Sequence, residues 1–182
     1  MMYTFGDFCT GVYVVERPAR IIVMEHGPMR PSYEYPLGTS GTDQHTVHTA
    51  LVIDSNVDDA ALLVKCLQEA NYETNVADSA LHAREAMQQH AFDLLFLDTT
   101  LRDENGLQLC NELRERFGAG LVIVFVASDS SPTSRIVGLE LGADDFILKP
   151  WDAEELVARV EAHLARARIL AQDLQHRHDA ER

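Results

Sequence analysis

Cysteine is scarce in this chain. Cys9, Cys66 and Cys110 are odd in number and widely separated among 182 residues, which argues against a disulfide framework. Cys66 and Cys110 fall within helical patterns and read as small buried side chains rather than metal ligands. Long apolar runs are missing too: none approaches the roughly 20 residues that a bilayer span requires, and the N-terminus has no basic region followed by a long apolar stretch. A cytoplasmic protein without membrane attachment is expected. Positive charge is in short supply, with Lys+Arg 15 against Asp+Glu 29 and a formal net charge of -14. Residues 49–168 carry 21 acids and 10 bases, a balance of −11, which opposes unaided binding to a phosphate backbone. No direct nucleic-acid contact by this chain is expected, and most of the acids read as solvated surface. Histidines at metal-ligand spacing, a glycine-rich phosphate loop after the first strand and a Gly-x-Ser-x-Gly elbow are all absent.

Proline is unevenly spread. Pro18, Pro28, Pro31 and Pro36, with several glycines, interrupt any periodicity in residues 1–48. That segment reads as a weakly ordered extension and linker, in which 12–15 and 21–24 could pair as a hairpin. A start assigned too early, with Met24 or Met29 nearer the first residue, is the alternative. Residues 49–168 form the regular domain, and 169–182 a helical tail in which the seam of apolar positions is too broken for a stable coiled coil.

Within the domain, strand and helix alternate five times. Leu51-Val52-Ile53 is a short buried strand, after which Val57, Ala60, Ala61, Val64 and Leu67 recur at helical spacing. A more polar strand spans 72–77, and the helix after it has Ala83, Ala86, Met87 and His90 on one face. The run 94–97 precedes a helix with Leu107, Cys110, Leu113 and Phe117 inward, then a strand over 121–126. A fourth helix around Ile136 and Leu139 stops at Gly142, the strand 146–148 follows, and Asp152 with Glu155 opens a fifth helix whose inner side holds Leu156, Val160 and Leu164. Such alternation implies right-handed crossovers and a parallel sheet. The expected fold is α/β, a flavodoxin-like (βα)5 doubly wound five-stranded parallel sheet of strand order 2-1-3-4-5.

In that fold Asp54, Asp98, Ala127 and Lys149 end strands one, three, four and five at one edge, where open α/β sheets place their ligands. Each has a local explanation as a cap, a turn residue or a snorkelling amine, but their shared position argues for a site. The segments Val-Ile-Asp54, Phe-Asp-Leu-Leu-Phe-Leu-Asp98, Asn105-Gly106-Leu107 and Gly-Leu-Glu-Leu-Gly-Ala-Asp-Asp-Phe146-Ile-Leu-Lys149-Pro150 resemble the receiver domain of two-component response regulators over roughly 49–168. With Glu155-Leu-Val-Ala-Arg159 the likeness is to the OmpR/PhoB type. The resemblance implies a signalling protein rather than an enzyme. It makes Asp98 the acceptor of a phosphoryl group from a sensor histidine kinase and Lys149 the contact to the phosphoryl oxygens. Asp54, Asp98 and the Thr100 carbonyl would hold Mg²⁺, and Phe146 would be the aromatic switch.

Two positions depart from the family pattern. Ser55 stands where a second acid normally faces the metal, so weak Mg²⁺ binding is expected. Ala127 stands where a Thr or Ser normally bonds the phosphoryl group, unless a one-residue shift brings Ser128 there instead. Two readings remain, a receiver phosphorylated slowly with little switching, which is preferred because Asp98 and Lys149 persist, and a phosphorylation-independent pseudo-receiver acting by protein interaction. A flavodoxin-like enzyme is the outside alternative. The family's helix 4/strand 5/helix 5 face implies a homodimer paired through Arg135 with Glu155, Asp145 with Arg159 and Asp144 with Arg166. Beyond Arg168 the family normally continues through a linker into a winged-helix DNA-binding domain, whereas 169–182 read as a frayed helical tail.

Overall fold

The computed structural model describes residues 47–129 and 131–180, with side chains through Gln172; the hairpin expected within 12–24 lies outside the described residues. The five strands are β1 (Thr49–Ile53), β2 (Glu73–Ala77), β3 (Leu94–Leu97), β4 (Val122–Ala127) and β5 (Asp145–Leu148). Between and after them lie α1 (Val57–Glu69), α2 (Ala80–Gln89), α3 (Gly106–Phe117), α4 (Pro132–Glu140) and α5 (Ala153–Ala180). All strand pairs are parallel and the order is β2-β1-β3-β4-β5, as expected.

β1, β3 and β4 are apolar at nearly every position because both sheet faces are covered. On one face Ala50, Val52, Phe96 and Val124 pack with Leu63 and Leu67 of α1 and Leu156, Val160 and Leu164 of α5. On the other, Phe125 and Phe146 lie with ring centroids 5.9 Å apart, and a Cβ on Gly138 would come within 3.3 Å of both rings. Burying each of these large side chains fully contributes about 1.5–3 kcal/mol. No helix among the described residues is long and apolar enough to cross a membrane.

Several helix faces differ from expectation. On α1 the inward stripe is Ala60, Leu63, Cys66 and Leu67, while Val57 and Ala61 point to solvent. Residues 60–64 are apolar without a break, so that run by itself admits either rotation and docking against the sheet selects one. His90 is an exposed cap residue of α2, and on α3 Leu109 is buried in place of the half-buried Leu107. Ile136 and Leu139 are exposed on α4, whose buried residue is Gly138. Tyr72 is buried but precedes β2, and β4 sits one residue later than predicted, ending at Ala127. α5 runs unbroken past 168 to Ala180.

Candidate functional site at the carboxyl edge of the sheet

The ladder itself places three charged residues. Asp54 donates its amide to the Ala77 carbonyl at 3.1 Å, Asp98 to Ile53 at 2.9 Å and Lys149 to Ala127 at 2.9 Å, so each is the first residue beyond its strand and still held by the neighbouring one. Their side chains converge. Lys149 Nζ donates to Asp54 Oδ2 at 2.8 Å, to Asp98 Oδ2 at 2.6 Å and to Asp59 Oδ2 at 2.8 Å. On the two strand-end aspartates the other oxygen faces a backbone amide: Asp54 Oδ1 accepts from Asn56 at 2.8 Å and Asp98 Oδ1 from Thr100 at 2.7 Å. Burial pulls the Lys149 amine down, but the hydrogen bonds to Asp54, Asp59 and Asp98 outweigh it and hold the ammonium well above its usual range.

The loop after β3 is built for close approach. A Cβ at Gly106 would stand 2.0 Å from the Asp98 carbonyl oxygen, so only glycine lets the start of α3 pass beneath Asp98. The loop is tied sideways as well. Ser55 Oγ accepts from the Arg102 amide at 2.9 Å and donates to the Asp78 carbonyl at 2.9 Å, joining the loops after β2 and β3. Asp103 accepts from the Ala80 and Leu81 amides at the start of α2, and Arg84 of α2 pairs with Glu104 and Glu112.

Ala127 is fully buried and brings no hydroxyl to this edge, and Phe146 is buried against Phe125. On the α4–β5–α5 side the structure joins Asp145 and Arg159 within a single chain, at 2.6 Å, and Arg159 also reaches Glu155 at 3.1 Å. Asp144 is engaged by Arg114 at 2.7 Å and by the Ile123 amide, a partnership the sequence reading did not contain. Arg135 and Arg166 are exposed. Of the site residues, Asp59 is the one sequence reasoning missed. Its signal was the Asp58-Asp59 pair in the first turn of α1, which reads equally well as an acid at a helix N-terminus.

Residues 50–161 match the response regulator receiver domain. The chain belongs to that family. This receiver is 42% identical over 132 residues to the TorCAD operon transcriptional regulatory protein TorR of Escherichia coli (strain K12), covering 72% of this chain and 56% of TorR. It is 32% identical over 116 residues to the response regulator ArlR of Staphylococcus saprophyticus, covering 64% of this chain and 52% of ArlR. Both relatives are of the OmpR/PhoB type, and the chain spans about half the length of each. Among solved structures, a two-component response regulator from Clostridium difficile superposes with a TM-score of 0.62 at 29% identity, covering 65% of this chain and 97% of that one. The BeF3-activated N-terminal receiver domain of Klebsiella pneumoniae RstA gives 0.61 at 28%, covering 64% and 97%.

Receiver domains generally bind Mg²⁺ at their acidic phosphorylation site. The donor chemistry here fits such an ion: three carboxylates surround one ammonium, leaving an excess of two negative charges on hard oxygen ligands. The carboxylates converge on the ammonium, and among the described residues no group of three or more His, Cys, Asp or Glu side chains is arranged around a metal position. A bound ion would have to share these oxygens with Lys149.

Proposed function

We propose that the chain is a two-component receiver that accepts a phosphoryl group on Asp98 from a sensor histidine kinase and signals through the α4–β5–α5 face. The observation that carries this reading is the Asp98 carboxylate held 2.6 Å from the Lys149 ammonium, at the edge where the strands end. In the transfer an Asp98 oxygen forms the new O–P bond as the P–N bond of the phosphohistidine breaks, and the imidazole nitrogen keeps the electron pair. Negative charge grows on the phosphoryl oxygens, and Lys149 neutralises part of it. Asp54, Asp98 and the Thr100 carbonyl are the groups that would hold Mg²⁺, which when bound neutralises the rest.

A second reading, a pseudo-receiver acting through a fixed surface, is favoured by Ala127 and by Phe146, which is only 3% exposed in the unmodified protein. Without a hydroxyl at 127, phosphorylation has no hydrogen bond with which to pull on the Phe146 side of the sheet. Intact-mass spectrometry after incubation with acetyl phosphate and saturating Mg²⁺ separates the two. A slowly accumulating phosphoryl adduct, absent in Asp98→Ala, is expected, with little movement of Phe146 in the NMR spectrum. No adduct over hours would leave the pseudo-receiver.

A further inference from the structure

Helix α1 brings to the site a carboxylate that the strand-edge pattern does not contain. Asp59 lies in the first turn of α1, and its Oδ2 stands 2.8 Å from Lys149 Nζ, as close as Asp54 Oδ2. An ammonium has three N–H donors, and Asp54, Asp59 and Asp98 take one each. Ser55 makes the opposite choice: its only proton goes to the Asp78 carbonyl, and it accepts from the Arg102 amide. We infer that Asp59 is a positioning residue of the phosphoacceptor site, supplying from α1 the third carboxylate that position 55 lacks and anchoring the Lys149 ammonium against Asp98.

The arrangement has a chemical use. When an Asp98 oxygen is bonded to phosphorus, the donor it had engaged is released. Asp54 and Asp59 still hold the nitrogen, so the freed N–H remains aimed at the phosphoryl oxygens. Asp58 is the internal comparison, since it sits in the same first turn but on the exposed side, without a carboxylate at the ammonium. The use of the anchor rests on the receiver reading, whereas the anchor itself does not.

The chain has two lysines, which makes the anchor measurable: the Lys65 side chain is 74% exposed and that of Lys149 is 10% exposed. Limited acylation of the full chain with an N-hydroxysuccinimide acetate, read by peptide mass spectrometry, gives the ratio of modification at 149 to that at 65. In Asp59→Asn the ratio should rise by roughly tenfold, the scale of a lost charge-assisted hydrogen bond. Asp59→Glu should return part of the protection, and Asp58→Asn should match wild type. Circular dichroism identifies any variant that fails to fold, and Asp59→Ser then replaces Asp59→Asn. A wild-type ratio in the folded Asp59 variant overturns the inference; so does an equal rise in Asp58→Asn, which would assign the effect to helix charge. Phosphoryl uptake from acetyl phosphate is scored separately, so failure of the receiver reading is not mistaken for failure of the anchor.

Discussion

At the scale of single residues, Asp54 and Ser55 are neighbours with different tasks. Asp54 is 8% exposed and turned to Lys149, whereas the Ser55 hydroxyl ties two loops together. An Mg²⁺ ion bound here would meet fewer acids than the family pattern supplies, and weak binding is expected from the missing charge. Ser55→Asp should tighten Mg²⁺ binding by roughly tenfold or more, because one added charge within about 4 Å is worth more than 1 kcal/mol even in a well-screened site. A titration followed by Trp151 emission measures this, and equal affinities for the two proteins would show that residue 55 does not face the ion. Asp54, Asp98 and Lys149 were legible in the sequence because each follows an apolar strand run. Asp59 was not, because its direction depends on the rotation of α1, which the unbroken apolar run 60–64 leaves undefined.

At the scale of elements, α2 is joined to the loop after β3 by a cap that crosses between them. Ser79 caps α2 locally by accepting from His82, while Asp103 takes the Ala80 and Leu81 amides at 2.9 and 3.0 Å. Those two amides hold the Asp103 carboxyl below its usual range. A depressed carboxylate contributes stability that is present above its unfolded value, about 3.9, and that is lost as pH falls through the lower folded value. Hydrogen-exchange protection at Ala80 and Leu81 should accordingly drop in acid below about pH 4, and in Asp103→Ala it should be low at neutral pH as well. Amides in the middle of α1 should keep their protection in that variant. If Ala80 and Leu81 exchange as in wild type, Ser79 alone suffices as the cap.

At the scale of the whole molecule, α4, β5 and α5 present Ile136, Leu139 and Leu148 at 56%, 40% and 41% exposure, beside Arg135, Glu155, Arg159 and Arg166. A twofold pairing through this face would repeat each contact, and the charges would fix orientation more than affinity, at about 0–1 kcal/mol per exposed pair. Asp145 and Arg159 already pair within one chain, so the proposed dimer has to exchange or share those partners. With Ala127 in place of a hydroxyl, association should depend little on phosphorylation. Sedimentation of wild type and Arg159→Glu, with and without acetyl phosphate, is expected to show a dimer weakened by charge reversal and nearly indifferent to the donor. A dimer unchanged by the reversal would place the interface elsewhere.

The sequence by itself determined the alternation of elements, the parallel sheet with its order 2-1-3-4-5, and the convergence of Asp54, Asp98 and Lys149, since buried parallel strands must be apolar throughout and the first charged residue after each run has to emerge at the same edge. Tertiary structure decided the rest. Docking on the sheet turned Leu63 and Cys66 of α1 inward and thereby aimed Asp59 at Lys149. Close approach of α4 through Gly138 left Ile136 and Leu139 outside, and the meeting of loops from different strands gave Ser55, Asp103 and Asp144 their partners. Those contacts join residues distant in the chain, and local periodicity carries no information about which distant group a polar side chain will meet.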